Sequence, residues 1–236
     1  MLSCLICNGP LICTNTWGKL LSLSNSSSLC EQCSSKLEKI KGETCSICDR
    51  PFSNLAPEYR QENTCLDCMK WQKDNRWQDI LIKNRSVYTY NPFLKETLSL
   101  FKFRGDHAIS QIFKQDFKRT FTKHFDKKSI IVPIPLSNER LYERGFNQAK
   151  VLAELLHLPI SEPLTRIHLE KQSKKSRSER LRTTNIFHLK ESIKLKGAEI
   201  VLIDDIYTTG TTLRHAAEIL KEAGALSVSS LTLARG

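Results

Sequence analysis

The chain has 236 residues, 40% hydrophobic and 26% charged, with a formal net charge of +11. That is a soluble globular composition with room for one large domain, or a medium domain plus an appendage, and no stretch approaches the ~20 apolar residues a membrane span needs. The basic balance biases partners toward phosphate-bearing molecules: nucleic acid, nucleotides or an anionic membrane surface.

The first segment, "MLSCLICNGP", carries no basic n-region and is soon studded with cysteines, so it does not read as a signal peptide, and a cytoplasmic chain is expected. Thiols stay reduced there, so nine cysteines point to metal rather than disulfides. They stand at 4, 7, 13, 30, 33, 45, 48, 65 and 68, and none follows. "CLICNGPL" at residues 4–11 matches "CSICDRPF" at 45–52, and "CEQC" at 30–33 matches "CLDC" at 65–68, so one small unit is written twice. Two C-x-x-C knuckles close a tetrahedral four-thiolate site around zinc. The residue after a leading pair must turn sharply, and it is Asn8 or Asp49, types that tolerate the left-handed region. Sixteen residues separate Cys48 from Cys65 and twenty-two separate Cys7 from Cys30. The repeat favours sequential sets, Cys4, Cys7, Cys30 and Cys33 then Cys45, Cys48, Cys65 and Cys68, with an interleaved arrangement left open. All positions are filled by sulfur, which reads as two structural Zn(2+) sites holding segments too small for their own core. Cys13 reads as an ordinary small core residue.

The seam is placed in the polar stretch at residues 71–79. This gives a zinc-binding double C-x-x-C module over 1–78 (repeats about 1–42 and 43–78) and a second domain over 79–236. From residue 86 strands and helices alternate. "SVYTY" reads as a strand, "PFLKETLSLFKF" as a helix and "HAISQIFKQDFKRTFTKHF" as one long amphipathic helix. "SIIVPIPL" is a short apolar strand, and "NQAKVLAELL" is a helix with Ala149, Leu152, Leu155 and Leu156 on one face. "AEIVLIDD" is a buried strand ending on its two aspartates, "TLRHAAEILKEAG" a helix capped by Gly224, and "LSVSSLTLA" the last strand. Continuous apolar strands alternating with helices predict an α/β fold with a parallel sheet.

"VLIDDIYTTGTT", residues 201–212, is the most informative stretch. A strand buried on both faces should not end on two carboxylates without a purpose. Ligands of open α/β sheets lie beyond the strands' C-terminal ends. Small residues let loop amides approach an anion, hydroxyls add donors, and the following helix N-terminus favours negative charge. Such a layout holds a sugar phosphate.

These residues resemble the phosphoribosyl pyrophosphate (PRPP) motif of type I phosphoribosyltransferases. The resemblance implies that Asp204 and Asp205 hold the ribose hydroxyls while Thr208, Thr209, Gly210, Thr211 and Thr212 wrap the 5-phosphate, with Mg(2+) accompanying PRPP. "IIVPIPLSNERLYERGFNQAK" resembles the segment facing the pyrophosphate, where Arg140, Arg144 and Asn147 lie. The basic stretch with Arg166, Lys171, Lys174, Lys175, Arg177, Arg180 and Arg182 would be a hood over that group; any one of these charges also reads as a solvated loop residue. Purine-salvage members place an aspartate at the Thr208 position as a base, and threonine cannot deprotonate anything at neutral pH. Purine salvage is therefore disfavoured.

The whole chain resembles the ComF family, through the C-x-x-C pairs, "YNPFLKETLSLFKFRGD", "VPIPLSNERLYERGFNQA", the pattern Gln172, Arg182, Asn185 and Phe187, and the PRPP motif. This implies a type I phosphoribosyltransferase fold with an N-terminal double zinc-knuckle module. It also implies a late competence role in natural transformation: binding PRPP and single-stranded DNA and assisting DNA uptake with a helicase-like, ComFA-like ATPase, in the cytoplasm or at the inner face of its membrane through partners. One alternative is an active phosphoribosyltransferase with an unidentified acceptor. Another is a zinc-dependent protein adaptor. Trp17, Trp71 and Trp77 could stack bases, but read first as small-core residues. With its own loop, a chain starting near Asn84 is expected to bind PRPP without the cysteines.

Overall fold

The computed structural model describes residues 3–11, 28–103, 107–166, 185–190 and 195–236. The sequence repeat is also a structural repeat. In each half a one-residue antiparallel bridge, Ser3 with Pro10 and Thr44 with Pro51, closes a knuckle whose left-handed residue is Asn8 (φ 58°) or Asp49 (φ 62°). In each half the first cysteine of the second pair sits at a helix N-cap. Cys30 precedes α1 (Glu31–Ser35) and Cys65 precedes α2 (Leu66–Lys73). A two-strand ribbon, β1 (Arg60–Gln61) with β2 (Thr64–Cys65), leads into α2.

The larger part is a four-stranded parallel sheet, as the alternation of strands and helices implies. Its order is β3 (Asn84–Thr89), β8 (Ser227–Arg235), β7 (Glu199–Tyr207) and β4 (Ile130–Pro133). Successive side chains of a strand face opposite ways, and the buried residues divide accordingly. Val201, Ile203, Leu231 and Leu233 pack with α3 (Pro92–Phe103), α4 (Lys114–His124) and α6 (Gln148–Glu154). Ile200, Leu202 and Val228 pack with α7 (Thr211–Glu222) on the other face. Cys45, Cys48, Cys65 and Cys68 belong to that second core together with Leu81, Leu202 and Leu213. The second knuckle pair is thus built into the face that carries α7.

The sheet's β3 edge is covered by residues 38–40, near the end of the first repeat. Ile40 donates to the Val87 carbonyl, Thr89 donates to Glu38, and Lys39 bridges Tyr88 in antiparallel register. Lys39 also pairs with Asp116 at 2.6 Å. Covering an edge in this way removes a row of unpaired backbone groups.

Two expectations need correction. The segment from residue 107 is not one helix: His107–Phe113 forms 3-10 turns before α4 begins at Lys114. Ser110 Oγ donates to the His107 carbonyl, a local bond that competes with the α-helical pattern. Nor does β7 end on its aspartates, since it continues to Tyr207 by pairing with β8 as far as Tyr207 opposite Arg235. A further short helix, α5 (Asn138–Arg144), follows β4. Ser137 caps it through a side-chain bond to Arg140, and left-handed Gly145 (φ 73°) ends it.

Candidate functional site

The site is made by a mismatch in strand length. β4 pairs with β7 only up to Pro133 opposite Ile203, with one further bond from Ile134 N to the Ile203 carbonyl. β8 accompanies β7 four residues further, to Tyr207. Asp204 and Asp205 therefore sit where one flank of β7 has lost its neighbour, at the carboxyl end of the sheet, and both are half-buried. The Asp205 amide donates to Asp204 Oδ1 at 2.9 Å, and the Asp205 carboxylate pairs with Lys102 at the end of α3. Burial, reinforced by the neighbouring Asp205 charge, pushes the Asp204 carboxyl up to about 8.

Tyr207 then points its ring beneath the turn, and Thr208 and Thr209 are exposed above it. Gly210 is left-handed (φ 80°, ψ 5°) and serves as the N-cap of α7 without a side-chain bond. A Cβ there would collide with the Tyr207 hydroxyl and Arg214 Nη1. Glycine is therefore demanded twice, by φ and by space. The Thr209 and Thr211 hydroxyls lie 2.9 Å apart, the Thr211 amide donates to Thr209 Oγ1 at 3.4 Å, and Gly210 itself brings no side chain to cap α7. Amides at a helix start, with clustered hydroxyls, form a receptor for an anion.

Arginines gather opposite. Arg166 ends β5 (Leu164–Arg166), which pairs antiparallel with β6 (Phe187–Leu189). Burial lowers its guanidinium below the ordinary arginine value; the nearby charges of Arg140 and Arg144 add to this, and Asp204 opposes it. Arg140, Arg144, Arg166 and Asp204 therefore share one electrostatic neighbourhood. Arg144 Nη1 donates to the buried Gln148 Oε1 at 2.8 Å. Asn147 is committed elsewhere: its side chain caps α6 at Ala149 and donates to the Ile134 carbonyl. Asn185 and Phe187 are anchors. Asn185 donates to the His215 carbonyl and to Glu218, and Phe187 is fully buried. Lys171, Lys174, Lys175, Arg177, Arg180, Arg182, Gln172, Cys13 and Trp17 lie outside the described residues.

Each four-cysteine set converges. The sulfurs of Cys4, Cys7, Cys30 and Cys33 lie within 4.8 Å of one another, as do those of Cys45, Cys48, Cys65 and Cys68. The Cys7–Cys30 and Cys48–Cys65 separations are both 3.7 Å. A tetrahedron with metal–sulfur bonds of ~2.3 Å has edges of about 3.8 Å, so the donors fit a closed four-thiolate site. Backbone amides of Gly9 and Cys65 donate to Cys7 and Cys45 sulfurs at 3.4 Å each, as thiolate acceptors require. The second set is buried throughout, whereas Cys7 of the first is exposed.

Comparison with known proteins settles the family. Residues 100–236 match the phosphoribosyl transferase domain family. Over 236 residues the chain is 50% identical to competence protein ComFC of Bacillus subtilis (strain 168), covering 99% of this chain and 95% of that one. The chain belongs to the ComFC family. A second ComFC, from Streptococcus pneumoniae (strain ATCC BAA-255 / R6), is 34% identical over 235 residues, 99% of this chain and 100% of the other. The DNA utilization protein YhgH of Salmonella typhimurium (strain LT2) is 26% identical over 226 residues, 88% of this chain and 96% of its own. This ComFC-family chain thus has a type I phosphoribosyltransferase fold joined to two four-cysteine sets. No helix among its described residues is long and apolar enough to cross a membrane.

Lys102 escaped sequence reasoning. It lies near the end of α3, and only the packing of that helix against the end of β7 shows its partner, Asp205. Trp71 and Trp77 also turn out to be engaged: they meet edge to face at 5.6 Å, and Trp77 meets His215 at 4.9 Å.

Proposed function

We propose that this protein serves natural transformation as a PRPP-binding, DNA-handling protein. The observation that carries the reading is the juxtaposition of Asp204 and Asp205 with the glycine-dependent turn that starts α7. In this reading the 5-phosphate lies on the amides and hydroxyls of Thr208, Thr209, Gly210, Thr211 and Thr212. The two carboxylates accept from the ribose hydroxyls, with Lys102 displaced from Asp205 or shared with it. The pyrophosphate, with its Mg(2+), faces Arg140, Arg144 and Arg166, and Lys171 and Lys174 close over it. Zinc occupies both cysteine sets as a structural ion, and residues 1–78 and 79–236 are the metal-binding and phosphoribosyltransferase-like parts.

The relatives' names, competence protein and DNA utilization protein, support a role in DNA uptake. The +11 charge supports contact with a single strand, handed on with a helicase-like ATPase. Exposed Lys118, Arg119 and Lys123 on α4 are the proposed phosphate contacts. Single-stranded DNA affinity measured across salt should fall by about 0.7 logarithmic units per contacted phosphate for each tenfold rise in salt. Charge reversal of Lys118 and Arg119 should flatten that slope. A slope unchanged by the reversal removes α4 from the interface, and affinity independent of salt removes the DNA reading.

A further inference from the structure

The second cysteine set and the phosphate turn touch through named contacts. Cys68 and Trp71 lie on α2, three residues apart and so on one side of the helix. The Trp71 indole N–H donates to the Thr209 carbonyl at 3.2 Å, across 138 residues of sequence. Its ring lies against the Arg214 guanidinium at 4.5 Å, and Arg214 Nη1 donates to the Tyr207 hydroxyl at 2.8 Å beneath the turn. A second path starts at Cys48. The buried Arg235 places Nη2 3.4 Å from Cys48 Sγ, while Nη1 donates to the carbonyls of Tyr207 at 3.2 Å and Thr208 at 3.0 Å, and also to Gly236. No aspartate or glutamate pairs with Arg235 among the described residues. A closed zinc–tetrathiolate carries net negative charge, because coordinated thiols are deprotonated. The second set thus places a counter-charge within reach of this buried guanidinium.

We infer that the second cysteine set is a strut for the phosphate turn, with Trp71 and Arg235 as its positioning residues. Metal at that set fixes α2 and Cys48. Trp71 and Arg235 then hold the carbonyls of residues 207–209 downward, which aims the amides of Thr211 and Thr212 at the ligand. Among the described residues no hydrogen bond joins the first set to the turn. This rests on the PRPP reading only for the identity of the ligand. The strut itself is a property of the ligand-free fold.

The test uses the full zinc-loaded chain and the variant Trp71→Phe, which keeps an aromatic ring and removes the indole donor. Three quantities are read: zinc content, PRPP affinity by calorimetry, and amide exchange of residues 208–213 in the ligand-free protein. The variant should keep the wild-type zinc content, bind PRPP about three- to tenfold more weakly, as loss of one hydrogen bond implies, and exchange those amides faster. Graded chelation of the wild type supplies a second arm. The more exposed first set should release its metal first with PRPP affinity unchanged, and affinity should fall with loss of the second equivalent. Unchanged affinity and unchanged exchange in Trp71→Phe would overturn the strut while leaving PRPP binding intact. Faster exchange in a protein whose wild type fails to bind PRPP would uphold the strut and overturn the ligand. In the sound case the Trp71 indole resonance, assigned by its absence in the variant, also shifts when PRPP is added, which a purely structural tryptophan would not do.

Discussion

Replacing Gly210 with alanine should injure the turn in two ways. The left-handed backbone at φ 80° disfavours any Cβ, by about 1–2 kcal/mol. The new methyl would also displace the Tyr207 hydroxyl and Arg214 Nη1, which meet at 2.8 Å within the buried side of the turn. Losing a hydrogen bond to a buried charged group costs about 1.5–3 kcal/mol. Together these come to about 2.5–5 kcal/mol, or a melting temperature lower by about 5–20 °C for a domain of this size. Thermal unfolding followed by circular dichroism measures the first effect and calorimetric titration with PRPP the second; binding should fall at least tenfold because the amides of Thr211 and Thr212 are re-aimed. A melting temperature within about 2 °C of wild type, with PRPP affinity unchanged, would refute the claim that this turn is packed from below and glycine-dependent.

Asp204 sets a pH dependence. Its folded-state value near 8 lies above the ordinary carboxylate value of 3.8, so the folded state binds more protons than the unfolded one between those values, and the group's contribution to stability declines as pH rises through that window. Asp204→Asn should therefore raise the melting temperature relative to wild type more at pH 9 than at pH 5, with a gain of about 0.5–2 kcal/mol; an equal difference at both pH values would contradict it. A chain starting at residue 84 should lose PRPP binding, because it removes Trp71 and also Arg76, which pairs with Glu218 of α7 at 2.7 Å. Wild-type affinity in that truncated chain would show that the cysteine module is dispensable for the site.

That last expectation reverses what the sequence alone suggests, and the reason is physical. A C-x-x-C knuckle is local: the turn needs Asn8 or Asp49, the ligand spacing is short, and both were legible as a repeated string. The strand-and-turn layout of residues 201–212 was equally local, since carboxylates after an apolar run and a glycine before a helix each act within a few residues. What could not be read was anything requiring two distant segments to meet. Lys102 finds Asp205 across the sheet end, Trp71 finds Thr209, and Arg235 finds Cys48. Such pairs leave no periodic trace. The proposed boundary at residue 78 also rests on local signal. It follows a change in composition, while Leu81 and the second cysteine set lie in the core that also contains Leu202 and Leu213. The polarity of Asp204 and Asp205 suggests a strand end that the molecule does not have. Pairing with β8 carries the strand on to Tyr207, and burial raises the Asp204 pKa along the way.

The most direct measurement of the central claim is isothermal calorimetry of PRPP with Mg(2+) on the zinc-loaded wild type and on the double variant Asp204→Asn, Asp205→Asn. Both side chains are half-buried at the open flank of β7, so the exchange should leave the fold intact, as circular dichroism can verify. The account predicts saturable binding by the wild type at one PRPP per chain and none detectable in the folded double variant. Equal binding by the two proteins would contradict it.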